Sequence, residues 1–181
     1  MTVHADVPFR ALDFMPRDIA LDRRPDGTLL LHSRVPLGPV QPHLPSLLAH
    51  QARTRPHSPW LSQRRGPDRQ WHRLSYGDAA AQAEALTQFL LDLDRPGRCV
   101  VVLSGNSLEH AVLQLGAMQA RMPYVPITPA YSLLTQDLGK LQSLVDLLEP
   151  ALVFVQDGRV FERALRGLVL PADAGWLVAQ N

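Results

Sequence analysis

The sequence is poor in cysteine, lysine and aromatic residues, and it holds no long apolar run. Cys99 is its one cysteine, so no internal disulfide can form, and its place in the run Cys99 to Leu103 makes it a small core residue of a reducing compartment. Lys140 is the one lysine; the basic side is otherwise arginine, with 18 Lys+Arg against 17 Asp+Glu and a formal net charge of +1. A balance of that kind creates no basic field for a phosphate backbone, and nucleic acid is not an expected partner. No stretch approaches the roughly 18 apolar residues of a membrane span, and the first residues lack a basic start followed by an apolar segment. The expectation is a cytoplasmic protein that neither crosses nor anchors to a membrane.

Glycine-rich phosphate cradles are also missing. The turn after the first strand of the expected parallel sheet reads Ser104-Gly105-Asn106-Ser107, which is neither GxGxxG nor GxxxxGK[ST], and no acidic residue follows in the ribose-reading position. Its amides are therefore read as capping the next helix rather than holding an anion. His43, His50 and His57 recur every seven residues, but Pro45 and Pro56 keep them off one continuous helix, and no cysteine or carboxylate completes a zinc set. Glu109 and His110 are adjacent on a helix and point about 100° apart, so they cannot work as an acid/base pair. Ser104, Ser107 and Ser132 lack the G-x-S-x-G frame of a hydrolase nucleophile.

What is present is the patterning of an α/β chain of 181 residues, 46% of them hydrophobic and 19% charged. Residues 1–43 form a Pro-rich N-terminal arm packed on the domain, with one strand at Thr28 to His32 after the turn Pro25-Asp26-Gly27. Pro36, Pro39, Pro42 and Pro45 recur every third residue, which suits either a lead-in segment or a polyproline II face open to an interaction module. Leu44, Leu47, Leu48 and Ala52 mark a helical face; Pro59 to Ser62 and Trp71 to Tyr76 mark a hairpin turning near Gly66-Pro67-Asp68. Asp78 is placed to cap a helix carrying Ala79, Ala83, Leu86, Phe89, Leu90 and Leu93 up to Pro96-Gly97.

From Cys99 the pattern becomes β-α-β-α-β-α. A strand at 99–103 leads to a helix from Leu108 to Arg121, capped by Asn106 or Ser107, with Leu108, Ala111, Val112, Leu115 and Met118 as its buried stripe. A short strand at Tyr124 to Ile127, a helix on Leu138, Leu141, Leu144, Val145 and Leu148, a strand at Ala151 to Val155 and a helix on Val160, Phe161, Leu165 and Leu168 follow. Residues 171–181 show no periodicity. The fold class is thus α/β, an N-terminal arm and small β-hairpin with helices and then a mostly parallel sheet.

The stretch Val101 to Leu141 resembles the early conserved region of the adenylate-forming superfamily, the AMP-dependent synthetases and ligases. Its strand, its helix with Gly116-Ala117-Met118 and its Pro123-Tyr124-Val125-Pro126 strand follow the family's order, and Leu74-Ser75-Tyr76 resembles the earlier Leu-Thr-Tyr motif. Ser132 to Leu141, Asp22 to Gly27 and Pro36 to Pro39 resemble the feruloyl-CoA synthase branch, and the likeness covers roughly Ala11 to Leu168. Arg121 departs from it, occupying a helix C-terminal position where the family has glycine. Arginine there costs about 1 kcal/mol in a left-handed conformation or forces a different exit.

The resemblance implies an incomplete N-terminal subdomain of the adenylate-forming fold over residues 44–181, from an enzyme that activates an aromatic carboxylic acid with ATP and Mg²⁺ and passes it to CoA. The family's phosphate loop and its catalytic lysine have no counterpart here, so no catalytic, cofactor-binding or metal-ligating residue is assigned. The chain is expected to be an inactive scaffold fragment that partners the remainder of the adenylation domain or self-associates. The alternative is a stand-alone interaction module working through the Pro-rich arm or a sheet edge. On physical grounds alone, Gly116 lets the helix approach the sheet closely, and Pro123 and Pro126 keep the following strand short and limit its ladder bonds.

Overall fold

A computed structural model describes residue 14 and residues 17–180, and the chain separates into two compact units, Met1–Val40 and Gln41–Asn181. In the first unit, β1 (Ile19–Arg23) pairs antiparallel with β2 (Leu29–Ser33). The turn between them is held by the Asp26 carboxylate, which accepts the Thr28 amide at 2.9 Å, and by Gly27 at φ +84°. The sequence shows β2 through its leucines but not β1, whose Ile-Ala-Leu-Asp-Arg carries no turn signal of its own and is a strand because β2 offers it a ladder.

The second unit opens with α1 (Leu44–Thr54), in which Pro45 lies in the first turn and is buried, so the three-residue proline recurrence does not continue as an open extended face. Strands β3 (Pro59–Arg65) and β4 (Gln70–Ser75) form the expected hairpin, with a bulge between Pro59 and Leu61. Helix α2 (Tyr76–Asp92) starts earlier than expected. Its cap is Ser75 and not Asp78: the Ser75 hydroxyl accepts the Asp78 amide at 3.1 Å and donates to the Asp78 carboxylate at 2.7 Å.

Four strands make a wholly parallel sheet in the order β6-β5-β7-β8: β5 (Val100–Val102), β6 (Tyr124–Pro126), β7 (Leu152–Asp157) and β8 (Gly175–Gln180). This matches the expected parallel α/β fold, and β8 adds a strand where the sequence shows no period. Strand β8 has no alternation because both its faces are apolar, as in a sheet covered on both sides. Helices α3 (Leu108–Gln119), α4 (Ala130–Leu133), α5 (Gly139–Leu148) and α6 (Glu162–Gly167) complete the unit.

The sheet separates two cores. Val101, Leu103, Val153 and Val155 pack with Leu141, Val145, Phe161 and Ala164 on one face, while Val100, Val102, Leu152 and Phe154 pack with Leu113, Ala117 and Leu90 on the other. Helix α3 is therefore buried twice: Val112 and Leu115 join a third cluster with Leu48, Leu74, Ala79 and Ala83, and Leu113 and Ala117 meet the sheet. The one-stripe expectation is corrected accordingly, since Met118 is 38% exposed and Leu113 is buried. Gly116 is corrected as well. A Cβ there would sit 3.0 Å from Leu86 Cβ and 3.2 Å from the Ala83 carbonyl, so the glycine brings α3 against α2, not against the sheet.

At the end of α3, Arg121 takes φ +58°. The Met122 amide donates to the Ala117 carbonyl at 2.9 Å and the Arg121 amide to the Met118 carbonyl at 3.3 Å, the bonding of a Schellman turn. Arginine thus adopts the glycine conformation rather than a different exit.

Candidate functional site

In an open parallel sheet the natural binding crevice lies at the carboxyl ends of the strands where their order reverses. Here that point falls between β5 and β7, since the chain passes from β5 outward to β6 and then back across to β7. The crevice is fastened by the protein itself: the buried Ser104 hydroxyl accepts the Gln156 amide at 2.5 Å, and the Leu103 amide donates to the Phe154 carbonyl at 3.0 Å. The nearby Asp157 carboxylate accepts the Arg159 and Val160 amides, which hold it below the usual carboxylate range. Its charge is committed to starting the turn into α6.

The neighbouring start of α3 is equally committed. Ser107 is the cap, accepting the His110 amide at 3.0 Å, as one of the two residues expected for that role. The Gln63 side chain reaches from β3 to accept the Leu108 amide at 3.4 Å and donate to the Asn106 carbonyl at 3.3 Å. Arg65 forms a two-pronged pair with Glu109, both contacts at 2.7 Å. Partial burial raises the Glu109 carboxyl, but the Arg65 hydrogen bonds and charge outweigh it and hold the group below its ordinary value. Glu109 and His110 indeed take separate partners, for the His110 Nδ1 lies 2.8 Å from the Gly105 carbonyl. A carbonyl can only accept, so Nδ1 carries the hydrogen in this contact.

These groups decide whether the turn suits a nucleotide. Its Leu108 and His110 amides are taken by Gln63 and Ser107, an ionised Glu109 stands in the first turn, and the arginine beside it is already paired. A triphosphate at this turn would meet the Glu109 carboxylate, with the Leu108 and His110 amides and the Arg65 guanidinium already engaged.

Two surface clefts flank α3. One, of about 340 Å³, has Leu61, Leu108 and Ala111 as its apolar floor and Gln63, Asn106 and His110 at its rim. The other, of about 400 Å³, lies among Leu44, Leu47, Trp60, Tyr76 and Leu115. Leu44 and Leu47 belong to the expected apolar face of α1 yet remain 54% and 41% exposed, because that face borders the second cleft. Ser62, Ser107 and His110 share the lining of the first cleft, but among the described residues no hydrogen bond joins either hydroxyl to the imidazole ring.

The remaining sequence candidates are dispersed. His43 caps α1, its Nδ1 accepting the Ser46 amide at 3.1 Å, while His50 lies within that helix and His57 beyond its end. Histidine as a cap has no strong sequence signal, which is why that role was not legible. His4 lies outside the described residues. No group of three metal-ligating side chains occurs among the described residues, and among them no helix is long and apolar enough to cross a membrane. Ser132 is buried with no partner for its hydroxyl, while Arg163 donates to its carbonyl at 3.1 Å. Lys140 stands over the Tyr131 ring at 4.6 Å.

A sequence model of the family described as AMP-binding enzyme matches residues 48–174. No curated protein sequence matches significantly. Among solved structures, the chain is similar to IdnL1 (26% identity, TM-score 0.58), covering 78% of this chain and 26% of that one. It is also similar to the nonribosomal peptide synthetase FmoA3 in an AMPPNP-bound form (25% identity, TM-score 0.58), covering 75% of this chain and 13% of that one. A fatty acyl-adenylate ligase from L. pneumophila, in complex with acyl adenylate and pyrophosphate, shares the fold at 18% identity and a TM-score of 0.61, over 75% of this chain and 23% of that one. The chain thus spans about a quarter or less of the length of these relatives.

Proposed function

Because this chain belongs to the AMP-binding enzyme family, we propose that it is the N-terminal scaffold of an aryl-acid CoA ligase, of feruloyl type, which forms an acyl adenylate and then a thioester. The observation that carries this reading is the β5-α3-β6 unit: it lies wholly within the matched residues, and Ser104, Ser107, Gln63 and Arg65 at or beside its carboxyl end bond to the protein's own groups. In this reading ATP, Mg²⁺, CoA and the aromatic acid bind to parts of the enzyme outside these residues. The likeness of Asp22 to Gly27, Pro36 to Pro39 and Ser132 to Leu141 to feruloyl-CoA synthases supports the choice of an aryl acid. A lone buried Cys99 suits the cytoplasm.

Two measurements test the proposal. The chain alone should show no acid-dependent ATP–pyrophosphate exchange with ferulate, coumarate or benzoate, and exchange that a substitution in this chain abolishes would overturn the scaffold role. Grafted in place of the corresponding segment of a feruloyl-CoA synthase, residues 41–180 should preserve ferulate-dependent exchange. Loss of exchange in that chimera, with the chimera folded, would remove the feruloyl-type assignment.

A further inference from the structure

The near-balance of charge over the whole chain hides an uneven distribution. From Gly27 to Pro67 the sequence has no carboxylate, and residues 53–73 hold six arginines against Asp68 alone. Among the described residues only one of those six, Arg65, takes part in an ion pair.

The β3-β4 hairpin sorts these charges by face. Side chains alternate along a strand, and directly paired residues share a side. Leu61, Gln63, Arg65 and Leu74 therefore face α3, where Leu74 joins the core with Val112 and Leu115 and Arg65 meets Glu109. Ser62, Arg64, Trp71 and Arg73 point the other way, and all four are exposed. Arg64 is paired across the strands with Trp71, its guanidinium carbon 4.8 Å from the centre of the ring, yet Trp71 stays 55% exposed. This outward face carries two arginines and an aromatic ring, and no carboxylate stands among them.

We propose that the outward face of the hairpin, through Arg64, Trp71 and Arg73, docks an acidic segment of a separate protein. A guanidinium outside any ion pair presents a planar fork of donors that matches a carboxylate in two-pronged fashion. Tryptophan and arginine are also the side chains that most often dominate the energetics of protein interfaces. Seating Arg64 over the Trp71 ring holds its fork in place, so less freedom is lost when a carboxylate arrives. The charge of the face selects an acidic partner and repels a basic one. Single-stranded nucleic acid binds to a succession of stacking rings, and this face has one. A bilayer needs an apolar surface to bury, and Trp71 is the one apolar side chain of the four. The inference goes beyond the ligase reading and does not depend on it.

Titration of the chain at physiological salt with a fluorescein-labelled peptide rich in glutamate and aspartate tests this, read by anisotropy and by the indole N–H resonances of the three tryptophans. The expected result is saturable binding that weakens as salt is raised and that shifts the Trp71 indole signal, assigned through Trp71→Phe, while the Trp60 and Trp176 signals stay in place. Arg64→Glu and Arg73→Glu should each weaken binding about tenfold, with an unchanged circular dichroism spectrum. Arg24→Glu, which reverses an exposed arginine elsewhere, should leave binding as it was. If a glutamate variant fails to fold, Arg64→Gln and Arg73→Gln remove the charge alone and should still weaken binding. Absence of saturable binding, or an equal loss in Arg24→Glu, overturns the proposal. So does tighter binding of an oligothymidylate or of phosphatidylserine vesicles than of the peptide. Perturbation of Trp71 by the remaining polypeptide of an adenylate-forming enzyme, added in trans, would also overturn it by assigning the face to that chain.

Discussion

The Ser104 hydroxyl accepts the Gln156 amide at 2.5 Å, tying the carboxyl ends of β5 and β7 together where the strand order reverses. A position that binds ligands in many parallel sheets is here used to fasten the sheet. Ser104→Ala should therefore lower stability by about 1–3 kcal/mol, since it leaves a partly buried amide without a partner. Urea unfolding at constant m-value measures the loss, and an unchanged midpoint would show that the bond contributes nothing.

The Arg65–Glu109 pair joins the hairpin to the start of α3. Glu109 is held below its ordinary carboxyl value, so its contribution is present above the unfolded value of about 4.3 and is lost as pH falls through the lower folded value. The pair is partly exposed, and Glu109→Gln should cost only about 1 kcal/mol near neutral pH after solvent screening. The difference between the two proteins should shrink at acid pH, and a pH-independent difference would rule out the ionic origin.

Arg121 holds a left-handed conformation that glycine adopts without steric cost. Arg121→Gly should raise stability by about 0.5–1 kcal/mol, the relief being reduced by the greater freedom of glycine in the unfolded chain. Thermal unfolding compares the two, and a lower midpoint for the glycine variant would show that the arginine side chain contributes elsewhere.

Gly116→Ala should act in the opposite sense although alanine is the better helix former. The added methyl meets Leu86 Cβ at 3.0 Å and a backbone carbonyl at 3.2 Å, so α2 and α3 must separate, at a cost of about 1–3 kcal/mol. A gain in the unfolding midpoint would mean that the helices part freely.

Cys99 is 5% exposed, and burial raises its thiol above the ordinary value, which suppresses the reactive thiolate. Native protein should react with a thiol reagent only as fast as it unfolds, whereas protein in denaturant should be labelled at once. Immediate labelling of the native chain would contradict the burial of Cys99 at the start of β5.

Apart from the short α4, the sequence by itself determined the order of the elements from Leu44 to Leu168, because proline and glycine punctuate them and apolar side chains repeat at helical or strand spacing. The turn at 104–107 matches neither glycine-rich phosphate-loop pattern, which a sequence shows directly because those patterns have fixed spacing. Only the tertiary structure decided which faces those elements bury. Helix α3 has two buried faces because a sheet lies on one side and α2 on the other, and one stripe of apolar residues cannot report two neighbours. Strands β1 and β8 were hidden for a related reason: each is a strand because a neighbour supplies its hydrogen bonds, and neither short segment carries a period of its own. The partners of Ser104, Gln63 and Arg65 lie more than 40 residues away along the chain, and only folding brings them together.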